Sequence, residues 1–425
     1  MSRLRIVKRG VRGMALGIFG FLAVVIVGSL SHSFLYGPVY SFPEPVPFSG
    51  PVWFNPYENV DGTAWKLGNF QVQSDAWSGV TNGRANTPER IFEVYKELGY
   101  DIITISDYMS INPFTTEDRP LVRVYEHGYG AFKTHQVCLG AQSVTSLDYP
   151  LYQTRSNKQH IIDRLSAECQ AVAIAHPSLR NAYSFDDMAR LTGYSMVEAS
   201  SKFRMSMAHW DAALSGGKPV WILSNDDAHD LNKPWEYGRN GTMVHTTSLE
   251  EEAVVQALVS GRAYAYLPGT GENANHGQKV AHLTHRPELK GCQIVDDSLQ
   301  IAATIPIRKA RFIGQDSDTL KTDVCRGEGC ASVAFRLKPE QTYVRAEVEL
   351  TNGDVLLLNP VIRTHDGLPP QVAQAQVNRP ATLFRRGCFG LMYLVPLLVG
   401  LRVKVRRGNG RQRWRKFWTA SGEPA

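Results

Sequence analysis

The stretch "TPERIFEVYKELGYDIITISDY", residues 87–108, carries a helix, its punctuation and a buried strand in one run. Thr87 stands where a helix N-cap belongs, Pro88 takes the first helical position where a missing N–H costs nothing, and Gly99 marks the stop. The following "YDIITIS" is β-branched and apolar on both of its alternating faces, which predicts a strand covered on both sides. A helix that runs straight into such a strand is one unit of an α/β layer.

The unit repeats in both directions. "NFQVQS" reads as a strand before it. After it come "HQVCLGAQSVT" as strand, "NKQHIIDRLSA" as helix, "CQAVAIAHP" as strand, "SFDDMARL" as helix and "YSMVEAS" as strand. The helical "MSMAHWDAALSGG", the strands "PVWILSNDDAHD" and "GTMVHTT", and the helix "SLEEEAVVQALVSG" continue it. Alternation over residues 65–270 predicts a parallel sheet, and this many units favours a closed or nearly closed barrel with its functional groups at the C-terminal strand ends. Beyond residue 285 the segments "LQIAATIPI", "KARFIGQ", "ASVAFRL", "TYVRAEVEL" and "DVLLLNPVIRT" are short and alternating, which predicts a small antiparallel β domain.

The strand ends hold the polar clusters expected of a site: Gln71, Gln73 and Ser74; Ser106, Asp107 and Tyr108; Gln142; His176; and Asp226, Asp227 and His229. In their order, "QVQS", "TPERIFEVYKELGYDIITISDY", "AIAHP" and "WDAALSGGKPVWILSNDDAHD" resemble the polymerase and histidinol phosphatase (PHP) family of metal-dependent phosphoesterases. "LEEEAVVQALVSGRAYAY" resembles that family's last helix and strand. The resemblance covers about half the chain and implies a distorted TIM-like (βα)7-type barrel with two or three divalent ions that clamp a phosphate ester.

The departures matter as much as the match. Where the family has His-x-His this chain has Gln71 and Gln73, whose neutral amides are poor ligands for zinc, manganese or iron. Tyr108 stands in place of the histidine of "ITDH", and Gln142 aligns with the metal-bridging glutamate. What survives is His176, Asp227 and His229, with Asp107 beside them. His176 and Asp227 are the candidate catalytic residues, and Asp107, His176, Asp227 and His229 the candidate metal ligands. Two readings stand: a residual site with fewer divalent ions than the family, or a hydrogen-bonded network that ties strand ends together without metal. Arg84 and Arg180 follow strand ends and are candidates to grip a phosphate or carboxylate of a phosphorylated small-molecule ligand, against the plainer reading of loop salt bridges. His127 and His135, in "HGYGAFKTHQ", are candidates to rejoin a metal cluster, against the plainer role of isolated core or surface histidines. Trp210 reads as packing. No P-loop, nucleophile elbow or dinucleotide fingerprint supports nucleotide hydrolysis or serine chemistry.

Charge is distributed unevenly. The net charge of the 425 residues is +6, yet Arg3, Arg5, Lys8, Arg9 and Arg12 crowd the start and eight cations fall within residues 402–416. Without these, Arg385, Arg386 and Glu423, the interior is about −8. Each basic end flanks an apolar run. "MALGIFGFLAVVIVGSL", residues 14–30, is near spanning length and reads as a membrane anchor, with a cleaved signal peptide as the alternative. "GCFGLMYLVPLLVGL", residues 387–401, is short for a span and is open to reading as a second span, an interfacial helix or a buried helix. The basic, Trp-containing tail behind it fits lipid better than nucleic acid, so no nucleic-acid partner is expected. The charge pattern predicts a bacterial inner-membrane hairpin with the acidic domain on the extracytoplasmic side. "CRGEGC", residues 325–330, has the spacing to close a small disulfide there.

The expected organisation is an anchor at 1–35, a linker at 36–64, the barrel at 65–270, a β domain at 271–370, a linker at 371–386, a membrane segment at 387–403 and a basic tail at 404–425. Three functions are compatible with it: a membrane-anchored phosphoesterase with reduced activity, a non-catalytic ligand- or partner-binding relative, or a membrane-tethered scaffold.

Overall fold

The computed structural model describes residues 2–60, 64–77, 86–117, 119–201, 205–271 and 273–420. Helix α1 (Ser2–Ser31) and strand β1 (Tyr40–Ser41) open the chain. There follow β2 (Val52–Phe54), β3 (Trp65–Asn69), α2 (Pro88–Glu97), β4 (Ile102–Ile103), β5 (Val124–His127), β6 (Gln136–Ala141), α3 (Arg155–Ser166), β7 (Cys169–Ile174), α4 (Phe185–Arg190), β8 (Met196–Ser200), α5 (Met207–Ser215), β9 (Trp221–Ser224), β10 (Gly241–His245), α6 (Glu251–Val259), β11 (Ala263–Leu267) and α7 (His276–Thr284). Next come β12 (Leu289–Val295), β13 (Ser298–Ile313), β14 (Thr319–Val324), β15 (Cys330–Arg336), β16 (Tyr343–Leu350), β17 (Val355–Leu358) and β18 (Val361–Thr364), then β19 (Gln376–Val377) and α8 (Arg379–Ala420). The chain divides into two compact units, Phe42–Ala375 and the pair Met1–Ser41 with Gln376–Ala425.

Helix α2 forms as its sequence dictates. The Thr87 hydroxyl accepts from the Arg90 N–H at 3.3 Å, Pro88 opens the helix, and Gly99 takes φ +78° beyond its end. Ile91, Phe92 and Tyr95 form its buried face, so the helix is held by packing as well as by its cap.

The fold is mixed α/β, but its strands do not form one closed parallel sheet. Strands β5 to β9 make a five-stranded sheet in chain order, parallel from β7 to β9 and antiparallel at β5–β6 and β6–β7. The reason is the link from β5 to β6, which is a hairpin loop too short for the crossover that parallel neighbours need. The second sheet runs β12-β13-β16-β17-β11-β10-β3-β4, with β14 and β15 on β13 and β18 and β2 beside β16. The strands after residue 285 thus continue the sheet that holds β3 and β4, through the β11–β17 ladder. Between the two sheets lie two isolated parallel bridges, Val72–Ala228 and Tyr108–Glu126.

The stretch 36–64, expected as a linker, is partly built into the large unit. β2 pairs with β18, and the buried Tyr57 donates its hydroxyl to the Ala263 carbonyl at 2.8 Å while accepting from the Asn359 N–H at 2.7 Å. A buried ion pair ties α5 to β16: Arg345 donates to both oxygens of Asp211 at 2.6 and 2.7 Å, with the Ser317 hydroxyl on the same carboxylate at 2.9 Å. The Cys325–Cys330 disulfide closes the turn between β14 and β15.

In the smaller unit two helical stretches are long and apolar enough to cross a bilayer: Gly13–Tyr36, of mean hydropathy 2.3, and Arg379–Gly400, of mean hydropathy 1.3. The second is longer than its apolar run because α8 already begins at Arg379, inside the expected linker. The helices meet in antiparallel order. Ser31 Oγ lies 2.8 Å from the Tyr393 hydroxyl, Phe34 stacks on Phe389 at 5.2 Å, Arg386 donates to the Tyr36 carbonyl at 2.9 Å, and Tyr40 pairs with Val377.

Candidate metal centre

Strand polarity decides which side chains gather. The C-terminal end of β5 and the N-terminal end of β6 lie together because the two are antiparallel, and β7 brings its C-terminal end to the same place. Glu126 is the next-to-last residue of β5, His135 precedes β6 and His176 follows β7; the Ala175 N–H bonds the His135 carbonyl at 3.2 Å. These three side chains offer ligand atoms within 4.8 Å of one another, all buried. His135 Nδ1 lies 2.5 Å and His176 Nε2 3.4 Å from the same oxygen, Glu126 Oε1. The other carboxylate oxygen accepts from the Gln73 amide at 2.7 Å.

Two of the candidate site residues take left-handed backbone, His176 with φ +27° and Asp227 with φ +51°, values uncommon for residues with a side chain though shared by other turn residues of this chain. Glu198 on β8 holds the turn at His176 by accepting its N–H at 3.0 Å, and is held in turn by the Asn225 amide at 2.9 Å.

Ionisation follows from crowding carboxylates in a dry place. Burial works against the charge on His176, yet the hydrogen bond it donates to Glu126 and the charges of Asp227, Glu126 and Glu198 raise its pKa to about 9. Burial raises Glu198 to about 8, with Asp227 and Glu126 adding to it against the opposing His176. Burial also opposes the charge of Glu126, but His135 and His176 hold it below the usual carboxylate range. Burial pushes His135 down and the Tyr108 hydroxyl well up. Of the three ligand side chains, His176 is therefore the one that favours its proton where a cation would otherwise sit.

The donor set fits a divalent ion. Two imidazoles and a carboxylate are the protein ligands of many catalytic zinc sites, with one position left open. His135 Nε2, His176 Nδ1 and both ends of the Gln71 amide are buried and lack a hydrogen-bond partner among the described residues. Such orphaned polar atoms are costly unless something else occupies the site.

The remaining candidates fall into place around this cluster. Asp107 is anchored: its carboxylate accepts from the Ser74 N–H and hydroxyl at 2.8 Å each and from the Asn112 amide at 2.9 Å. Its carbonyl accepts the Glu126 N–H at 3.2 Å, so it supports the cluster rather than joining it. His229 Nδ1 lies 2.9 Å from the Asp227 carbonyl, and its Nε2 lies 3.4 Å from the Tyr108 hydroxyl. Tyr108 also meets the His135 ring edge to face at 5.3 Å. Asp227 acts on the cluster through its charge on His176.

Gln142 does not belong to the site. It lies past the opposite end of β6 from His135, exposed, its N–H on the Glu168 carbonyl at 2.9 Å. Arg180 is exposed and donates to the Ala131 carbonyl at 2.9 Å, and Arg84 lies outside the described residues. His127 is a satisfied core histidine, between the Gln136 side chain at 2.8 Å and the Leu147 carbonyl at 2.9 Å. Trp210 is fully buried packing, with its indole N–H on the Val220 carbonyl at 2.9 Å.

The sequence did contain a signal for Glu126. It is the one acid in the strand-forming run "VRVYEHG", beside His127, and is followed across a glycine-containing turn by His135.

Among known proteins, no family model and no curated sequence matches this chain. A solved structure is similar at low level: the crystal structure of a two-domain protein containing a predicted PHP-like metal-dependent phosphoesterase from Bacteroides vulgatus, at 12% identity and TM-score 0.36, covering 79% of this chain and 99% of that one.

Proposed function

We propose that this chain is a membrane-anchored, PHP-like phosphoester hydrolase reduced to a single divalent ion held by Glu126, His135 and His176. The observation that carries the reading is the buried convergence of these three ligand atoms, with unpartnered nitrogens beside them. The ordered motifs from Gln71 to His229 and the two bridges that run between the sheets support a PHP-like barrel around it.

An ion bound there supplies Lewis acidity toward a phosphoryl oxygen and lowers the pKa of water. The chain's own groups do the rest. Glu126 neutralises the ion's charge and is oriented by Gln73. Glu198 fixes the backbone turn that aims His176. With Nδ1–H given to the Asp227 carbonyl, His229 presents the lone pair of Nε2 beside the Tyr108 hydroxyl, placed to take a proton from an attacking water. Gln71 and Gln73 take the places of two imidazoles and supply no further charge, which limits the site to fewer ions than the family's two or three.

The sidedness proposed is a hairpin with both basic termini in the cytoplasm and Phe42–Ala375 outside. The antiparallel contacts between α1 and α8 support it, as does a disulfide that suits an oxidising compartment. The experiment is hydrolysis of bis-p-nitrophenyl phosphate by the full chain after loading with zinc, manganese or iron. Activity that disappears in His176→Ala and in Asp227→Ala supports the proposal. No activity with any metal, from protein that binds one, leaves a ligand-binding relative as the function.

A further inference from the structure

A cleft lies in the large unit, its lining residues distinct from those of the candidate metal centre. This cleft of ≈ 390 Å³ opens between residues 43–49, residues 363–373 and the turn after α5, within the size range of small-molecule pockets. Its walls are largely apolar, with Pro43, Pro45, Pro47, Phe48, Leu368 and Val372 among them. Lys218 lines it too, and Lys218 is only 4% exposed.

That lysine lacks a counter-charge. Among the described residues no hydrogen bond or ion pair involves its ammonium, and burial alone, with no carboxylate acting on it, lowers its pKa to about 8. The acids that line the cleft are engaged elsewhere: Glu44 pairs with Arg190 at 3.0 Å, and Asp366 caps the Leu368 N–H at 3.0 Å. The stem of Lys218 is buried while its ammonium opens on the cleft, so the cation is placed to meet an anion that comes from outside the chain.

The sequence "SGGK", residues 215–218, builds the arrangement. Gly217 has φ +75°, and a Cβ there would meet the Val46 carbonyl oxygen at 1.8 Å, so only glycine lets the proline-rich segment cross this turn. The crossing segment covers the lysine while its own side chains offer nothing to neutralise it.

We propose that this cleft binds an amphiphile with an anionic head, a carboxylate or a phosphate on an acyl chain, the head on the Lys218 ammonium and the chain along the proline-rich wall. The apolar wall and the one unpartnered lysine ammonium call for that combination of chemistries in one molecule, since the Arg363 guanidinium, which also lines the cleft, is spent on the carbonyls of Gln341, Pro51 and Lys338. Order along the chain supplies the context: in sequence, residues 43–49 come after the first apolar stretch and residues 363–373 come before the second.

The test uses the full chain in amphipol, titrated with 11-(dansylamino)undecanoic acid and with the matching dansylated alcohol, followed by fluorescence. Lys218→Met keeps the stem and removes the charge, so the fold is retained. Leu368→Asp sets a charge in the wall at a side chain 63% exposed, again without threat to the core. The expected result is saturable binding of the acid, weakened at least tenfold in each variant, with the alcohol weak and insensitive to Lys218→Met. Displacement should follow with lysophosphatidate or oleate, and inorganic phosphate alone should be ineffective. Equal binding of acid and alcohol, no effect of Lys218→Met, or displacement by inorganic phosphate as effective as by lysophosphatidate would overturn the proposal. Metal content is the same in both variants if the two sites are separate, so failure here does not touch the metal centre.

Discussion

Raising the pH of the metal-free protein is the perturbation whose consequence follows most directly from the geometry. His176 is buried and its pKa stands at about 9 against the 6.5 of an unperturbed imidazole, because Glu126 and neighbouring carboxylates favour its proton. A folded-state value above the unfolded one gives stability that is fully present below pH 6.5 and is lost as the pH climbs through 9. At ~1.4 kcal/mol per pH unit the difference comes to about 3 kcal/mol. Glu198, raised from 4.5 to about 8 mainly by burial, acts with the same sign over its own window. The assay is thermal unfolding of the chelator-treated full chain at pH 6, 7.5 and 9. The midpoint is expected to fall by roughly 5 °C or more, from the usual relation between stability and midpoint. Saturating zinc is expected to reverse the slope, since metal binds the deprotonated ligands. A flat profile between pH 6 and 9 without metal would refute the reasoning, because it would mean that His176 holds no extra proton.

Other consequences are as concrete. Gln73→Leu removes the amide that orients Glu126 and should weaken metal binding about 10–100-fold in competition with a chelator. Gln71→Met, which replaces a buried amide lacking partners, should leave stability unchanged or raise it by about 1 kcal/mol in the same unfolding assay. Asp211→Ala leaves the buried Arg345 with Glu347 as its remaining counter-charge and should cost about 3 kcal/mol, whereas Glu349→Ala, which breaks an exposed pair with Arg308, should cost under about 1 kcal/mol. Cys325→Ser with Cys330→Ser opens a short loop and should cost about 2 kcal/mol from chain entropy, leaving metal content unchanged.

Much of this architecture is written locally. Thr87, Pro88 and Gly99 bound α2 in the chain as they do in the fold, and His176, Asp227 and His229 declare themselves by following buried strands. What sequence reasoning could not see is direction. The run "HQVCLGAQSVT" is plainly a strand, but a parallel reading puts its C-terminal Gln142 at the site, whereas the antiparallel hairpin puts His135 there instead. Glu126 escaped the periodic pattern for a separate reason: β5 is four residues long, too short for periodicity to reveal, so its lone acid beside His127 was the signal left. The two-residue ladder of β1 with β19 is equally silent in sequence, because its partners are more than 330 positions apart and neither carries a pattern. The same non-local pairing explains why the later strands extend the β3–β4 sheet through β11.

The measurement that tests the central claim most directly is the metal content of the purified full chain, dialysed and re-exposed to zinc, manganese and iron, by plasma mass spectrometry. The account predicts about one bound equivalent per chain, lost in Glu126→Ala, His135→Ala and His176→Ala and retained in Gln142→Ala. Folded protein without stoichiometric metal, or metal that persists in all three cluster variants, would contradict it.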